Sequence, residues 1–199
     1  MIRLTTGRFS RRANMEDAFS LLGLERRPLI DRAALKASYL RLAAARHPDI
    51  SGGGEEKFHQ LQEAYKTLSE PAARLRHLVA LQFPDVGRPG SSAPHAELFL
   101  HAGGAIQAAK AAFSRREKST TALARAVLSP EIAAALRQVR EALESMLRTR
   151  NEFEARLEDL DDRWPVVSAF DLMALATSFA FVSRWMSELS EWEFRLENG

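Results

Sequence analysis

His47, Pro48 and Asp49 stand together after one helix-forming stretch and ahead of Gly52-Gly53-Gly54 and another. Proline fixes φ and removes a backbone donor, so the chain must turn there. Asp49 is a short carboxylate on an exposed turn, suited to a bidentate pair with an arginine of another molecule. His47 can hydrogen-bond and order the loop. Upstream, Lys36 and Arg41 lie outside the apolar stripe of their helix and can steer towards an acidic surface. This is recognition chemistry. Other chemistries find little support. With no cysteine in the chain, disulfides, thiolate metal sites and cysteine nucleophiles are excluded. His59, His77, His95 and His101 lack metal-ligand spacing and read as packing or solvent-facing residues. Gly52–Gly54 is not followed by the Gly-Lys-Ser/Thr of a phosphate-binding loop. No metal, cofactor or catalytic residue is expected.

The elements that position these residues are helical. Apolar residues make up 46% of the 199 and charged residues 27%, a globular balance. Ala and Leu together number 58 against 12 Val and Ile, which favours helices over strands. Residues 15–22 read as a short helix ended by Gly23. Asp31 can cap a second helix running to about Arg46, with Leu35, Tyr39, Leu42 and Ala43 as its stripe. A third spans Glu55–Ser69, with Phe58, Leu61, Tyr65 and Leu68 on one face. Tyr39, Phe58 and Tyr65 are expected in the core. Ala72–Leu81 reads as a further helix.

Residues 84–94 hold three prolines and two glycines and form a linker. Beyond it, Phe99, Ala102, Ile106, Ala109 and Phe113 alternate gaps of three and four. Gly103-Gly104 within this stripe marks a kink or, preferably, a close helix contact. Ser129 can cap a long helix with Pro130 in its first turn and a seam from Ile132 to Trp164, broken by Arg150. Pro165 turns the chain. The last helix shows Leu175, Val182, Leu189 and Leu196 seven apart, with Trp185 and Trp192 reading as bundle core. The expected fold is all-α: an N-terminal helical hairpin and a C-terminal three-helix bundle.

The net charge of +2 is unevenly spread, with +5 on residues 1–83 and −3 on residues 84–199. Arg3, Arg8, Arg11 and Arg12 fall in the first 13 residues, which hold no acid and read as a flexible basic tail; its composition leaves an organelle presequence open. The longest apolar stretch, Trp164–Ser183, is interrupted by Asp171, so no membrane span or secretory signal is expected. A basic helical nucleic-acid binder is an alternative, disfavoured because the excess charge sits in the tail and no helix clusters Arg with polar residues.

Around His47-Pro48-Asp49, the anchors Leu35, Lys36, Tyr39, Leu42 and Ala43 precede the motif; Phe58, Leu61, Ala64-Tyr65, Leu68, Pro71 and Arg74 follow it. As a set they resemble the J-domain family of DnaJ-type co-chaperones over residues 14–83. Leu78-Val79-Ala80-Leu81 after Arg74, then Leu157, Leu160-Asp161, Trp164, Leu172 and Phe181, are similar to the HscB branch, in which a J-domain runs into a helical client-binding domain, here 95–199. The resemblance implies a cytoplasmic, non-enzymatic co-chaperone. It would dock on a DnaK/HscA-type 70-kDa chaperone ATPase through His47, Pro48 and Asp49, with Lys36 and Arg41 assisting, and stimulate ATP hydrolysis in that partner. It also implies a client, an iron–sulfur cluster scaffold protein, held near Leu98, Phe99 and Leu100. Two departures stand out. Leu40, Ala45 and Ile50 occupy positions commonly basic in the family, and Gln107, Ala108, Ala109 and Lys110 stand where its client face carries glutamates. The second departure leaves open an adaptor of the same architecture for a different client.

Overall fold

The computed structural model describes residues 17–45, 55–86 and 95–198. The His47-Pro48-Asp49 motif, the basic tail and most of the linker lie outside the described residues. The chain divides into two compact units, one ending at Pro84 and one starting at Asp85. Among the described residues every regular element is a helix, in keeping with the composition.

The first unit holds α1 (Ala18–Leu22), α2 (Arg32–Ala45), α3 (Glu55–Ser69) and α4 (Pro71–Gln82). Local sequence sets their ends. Asp17 caps α1 by accepting from the Phe19 amide at 3.0 Å. Gly23 ends it in the left-handed region at φ 66°, where glycine pays no Cβ penalty. Asp31 caps α2 through the Ala33 amide at 2.8 Å. Glu70, extended because a proline follows, separates α3 from α4, and Pro71 occupies the first turn of α4. α3 is the centre of the unit, packed by α1, α2 and α4. Leu61, Ala64 and Leu68 are its buried line. Tyr39, Phe58 and Tyr65, expected in the core, are instead half-buried. Tyr39 and Tyr65 meet with ring centroids 4.4 Å apart and planes tilted by 30°, while the buried positions of the two helices are Leu35 and Ser38 on α2 and Leu61, Ala64 and Leu68 on α3.

The second unit is a three-helix bundle of α5 (Ala96–Lys118), α6 (Ala122–Asp162) and α7 (Ala169–Asn198), each packed on the other two. Leu175, Val182, Leu189 and Leu196 are all buried, so the seven-residue repeat forms the seam of α7. Arg150, the polar break in α6, lies at the edge of its seam and pairs with Glu154 one turn on, at 3.3 Å.

Two expectations fail here. α6 begins at Ala122 under a Thr121 cap, whose hydroxyl accepts from the Ala124 amide at 3.2 Å, and Pro130 lies inside the helix. The run Ala122–Leu128 is rich in strong helix formers and carries the helix across the one hydrogen bond that proline removes. Gly103 and Gly104 mark no close helix contact: a Cβ at either would meet nothing within 4 Å.

Candidate functional site

α2 and α3 present the connection that carries the motif. α2 ends at Ala45 and α3 starts at Glu55, so residues 46–54 join two helices that pack on each other. The hairpin is anchored on its inner side by buried Leu35 and Ser38. The Ser38 hydroxyl donates to the Leu22 carbonyl, a group left open at the end of α1.

Lys36 and Arg41 are both exposed on the outer side of α2. Five positions apart, they sit roughly 140° around the helix from each other and form no single basic stripe. Leu40, 54% exposed, lies between them with exposed Ala37. The outer face of α2 is therefore an aliphatic ridge flanked by two cations. Arg41 reaches the Ser38 hydroxyl at 3.4 Å, a weak bond that leaves its charge facing solvent.

Two buried polar groups, Arg74 and His77, fix the frame behind this face together with half-buried Asp17. The Arg74 guanidinium, 4% exposed, donates to the Pro28 carbonyl at 2.8 Å and the Leu68 carbonyl at 2.7 Å. It thereby ties the α1–α2 connection to the end of α3. His77 Nε2 accepts from the Ala18 amide at 3.1 Å and its ring stacks on Phe19. Burial disfavours the imidazolium and holds the His77 pKa below its ordinary value; the Asp17 carboxylate pulls the other way. Burial raises the Asp17 pKa in turn, but hydrogen bonds from Ser20 and Arg26 outweigh it and the carboxyl titrates below its usual value. Arg26 holds Asp17 with Nε at 2.9 Å and Nη2 at 2.7 Å. The sequence marks Arg74 as an anchor but not its partners, and no local pattern brings Asp17, Arg26 and His77 together.

On the second unit, the three residues singled out near the start of α5 differ. Leu98 is half-buried, while Phe99 and Leu100 are 51% and 69% exposed. Phe99 therefore stands at the rim of the bundle stripe; Ala102, Ile106 and Ala109 fill the seam itself. Its ring meets Trp185 edge-on at 5.4 Å, and Trp185 lies 6.2 Å from Phe181. His95 completes the cluster, 5.4 Å from Phe181 and 5.2 Å from Phe153, with Nε2 3.1 Å from the Ser178 hydroxyl. Burial and the nearby Arg156 charge hold the His95 pKa below its ordinary value. α5 and α7 together thus build an aromatic face, half-buried and half-open. Trp185 belongs to it, which sequence reading had placed in the core.

No group of side chains among the described residues could hold a metal ion. No described helix is long and apolar enough to cross a membrane.

Residues 17–77 match the DnaJ domain family. The N-terminal unit is a DnaJ domain. The match spans α1, α2, α3 and the first part of α4. Curated relatives share this region. The chain is 40% identical over 67 residues to the chaperone protein DnaJ of Synechococcus elongatus, covering 32% of this chain and 23% of that protein. It is 43% identical over 63 residues to the DnaJ of Acaryochloris marina, covering 31% and 16%. It is 35% identical over 83 residues to the curved DNA-binding protein of Pseudomonas syringae pv. tomato, covering 41% and 26%. The chain thus spans about a quarter or less of the length of these relatives. Beyond the DnaJ domain, the fold is similar to that of the chaperone HscB from Vibrio cholerae. The TM-score is 0.53 at 16% identity, covering 90% of this chain and 99% of that one. The likeness extends the comparison across both units at the level of fold.

Proposed function

We propose that the chain is a co-chaperone. Residues 14–83 dock on a DnaK/HscA-type 70-kDa chaperone ATPase, residues 84–94 are the linker, and residues 95–199 hold a client. His47, Pro48 and Asp49 form the docking loop, with the Asp49 carboxylate pairing with an arginine of the partner. Lys36 and Arg41 steer the approach from either side of Leu40. ATP hydrolysis takes place in the partner, so this chain supplies contacts and no catalytic group. The client is an iron–sulfur cluster scaffold protein, received on the aromatic face at Leu98, Phe99 and Leu100. Joining both contacts in one chain raises the effective concentration of client and chaperone for each other. The curated relatives are bacterial proteins, and the proposal places this chain in the cytoplasm beside such a chaperone.

The observation that carries this reading is the pairing of a DnaJ domain at 17–77 with a fold similar to HscB over 90% of the chain. Single-turnover ATP hydrolysis by a DnaK-type chaperone tests it. The wild-type chain should accelerate hydrolysis and Asp49→Asn should abolish the acceleration with an unchanged thermal midpoint. Undiminished stimulation by the variant would remove the docking assignment.

A specific observation favours a second reading of the client. After Glu97, α5 carries no acid until Glu117, so Glu97 is the one carboxylate that helix places beside the aromatic face. The same adaptor would then serve a client other than an iron–sulfur scaffold. Calorimetric titration of an iron–sulfur scaffold protein into the folded chain separates the two, and absence of binding selects the second.

A further inference from the structure

Next to the turn that joins α5 to α6, the first turns of α6 contribute nothing to the bundle core. Arg116 on α5 donates to the carbonyls of Leu196 at 2.9 Å and Arg195 at 2.8 Å, tying α5 to the last turns of α7. α5 continues to Lys118 and α6 starts at Ala122. No residue of α6 before Ala135 is buried. Leu123 and Val127, one turn apart on one face, are 77% and 72% exposed. With Ala124 and Leu128 they form one wall of a groove of about 590 Å³ whose other wall carries Arg115 and Lys118. Two adjacent large aliphatic side chains left in water are the mark of a surface that something covers.

The charge around the groove says what that is. Its lining holds two cations and no carboxylate. Arg115 is partly neutralised by Glu131 at 2.6 Å, but no carboxylate lies within ion-pair distance of Lys118 among the described residues. Arg125 lies outside the lining, but its Nε donates to the Ser119 carbonyl at 3.1 Å, which keeps a third positive charge beside the α5–α6 turn, and the first turn of α6 has no acid to offset its partial positive charge. The walls are two adjacent helices, and the apolar positions 123, 124, 127 and 128 form a helical ridge, the geometry that receives another helix.

We propose that this groove docks an acidic amphipathic helix of a partner protein, its aliphatic side laid on Leu123 and Val127 and its carboxylates towards Lys118 and Arg125. The surface is separate from the aromatic face at the start of α5, and the inference stands whether or not the chaperone assignment holds.

Two synthetic helical peptides test it against the full chain by fluorescence anisotropy. Both carry leucine at helical spacing, one flanked by glutamates and the other by lysines. The glutamate peptide should bind at least tenfold tighter than the lysine peptide at low salt, with the advantage shrinking as salt rises. Leu123→Asp with Val127→Asp should lower its affinity at least tenfold, and Lys118→Glu should reverse the preference. The replaced side chains are exposed, so the thermal midpoint should stay near that of the wild type and serve as the folding control. Equal binding of the two peptides, or undiminished binding by the double variant, would overturn the proposal. So would a concentration-dependent dimer in sedimentation velocity that the double variant abolishes, since the face would then belong to a second copy. That copy's α6–α7 turn exposes Val166 and Phe170 beside Asp162 and Asp171.

Discussion

The two units are held together by different physics. The DnaJ domain is built from helices of 5, 14, 15 and 12 residues, lengths marginal or unstable for isolated helices in water. Its interior contains Ser38, Arg74 and His77, each bonded to a backbone group from elsewhere in the unit. The bundle has helices of 23, 41 and 30 residues and a mostly apolar interior, in which buried Ser178 bonds only within its own helix and buried Asp161 stands at the end of α6. Its ionic ties lie outside, as where Arg140 meets Glu193 and Glu197. Buried polar bonds have fixed geometry and fail singly, whereas apolar packing is spread over many residues. The first unit uses the geometric kind. The unit that offers an aromatic surface uses the distributed kind.

The aromatic residues let the two be followed separately. Tyr39 and Tyr65 are the only tyrosines and both lie in the first unit; Trp164, Trp185 and Trp192 are the only tryptophans and all lie in the second. The largest effect is expected in the bundle. Phe179 is 1% exposed, and Phe179→Ala should cost roughly 3–5 kcal/mol. Urea unfolding followed by tryptophan fluorescence should shift accordingly, while the tyrosine NMR signals keep their midpoint. Equal shifts in both probes would show that the units unfold as one.

Arg74→Met should produce the reverse pattern. It keeps most of the side-chain volume but leaves the Pro28 and Leu68 carbonyls without their charged donor. The expected loss is about 2–4 kcal/mol in the tyrosine-reported transition. A loss below about 0.5 kcal/mol would mean that the buried bonds do not distinguish this unit.

Acid should weaken both units through one histidine each. The folded-state pKa values of His77 and His95 lie below the ordinary 6.5 because burial disfavours the cation. The unfolded chain therefore binds more protons just below that value, so stability is complete above pH 6.5 and declines as pH falls towards the folded-state pKa. Asp17, also lowered, adds a loss only at still lower pH, as it falls from the ordinary 3.8 through the folded-state pKa. Replacing His77 by Gln, whose amide oxygen can still accept from the Ala18 amide, should flatten the tyrosine-reported dependence near neutrality and leave the tryptophan-reported one. Thermal midpoints from pH 7.5 to 5 check this. The smallest effect is a gain: Gly104→Ala has open space for its Cβ and should stabilise α5 by about 0.5–1 kcal/mol.

Much of the fold was legible because helix signals are local. The Asp31 cap, the left-handed Gly23, the break at Pro71 and the heptad of α7 each concern residues a few positions apart, whereas the Asp17 cap, two residues inside the expected start of α1, is shown only by the structure. The motif His47-Pro48-Asp49 and the cations Lys36 and Arg41 are read from residue types and order alone, and the motif lies outside the described residues. Less legible was the exposure of Phe99. Its spacing fits the bundle stripe, but it falls at the rim of the packed interior, where a stripe residue is only partly covered. Pro130 misled because proline is common in the first turn and rare in a helix interior, yet helix formers on both sides sustain α6 through it.

By itself the sequence determined which segments are helices, where most of them end, which faces are apolar and which loop carries the recognition motif. These follow from dihedral preferences, capping and a 3.6-residue period, all acting within a turn or two. Only the tertiary structure decided the partners of the buried polar groups and the joining of Phe99, Phe181 and Trp185 into one face. Arg74 meets a carbonyl 46 residues away and His77 an amide 59 residues away. Such pairings depend on which helix faces pack together and at what angle, and that is settled by the shape of the whole core, which no local pattern encodes.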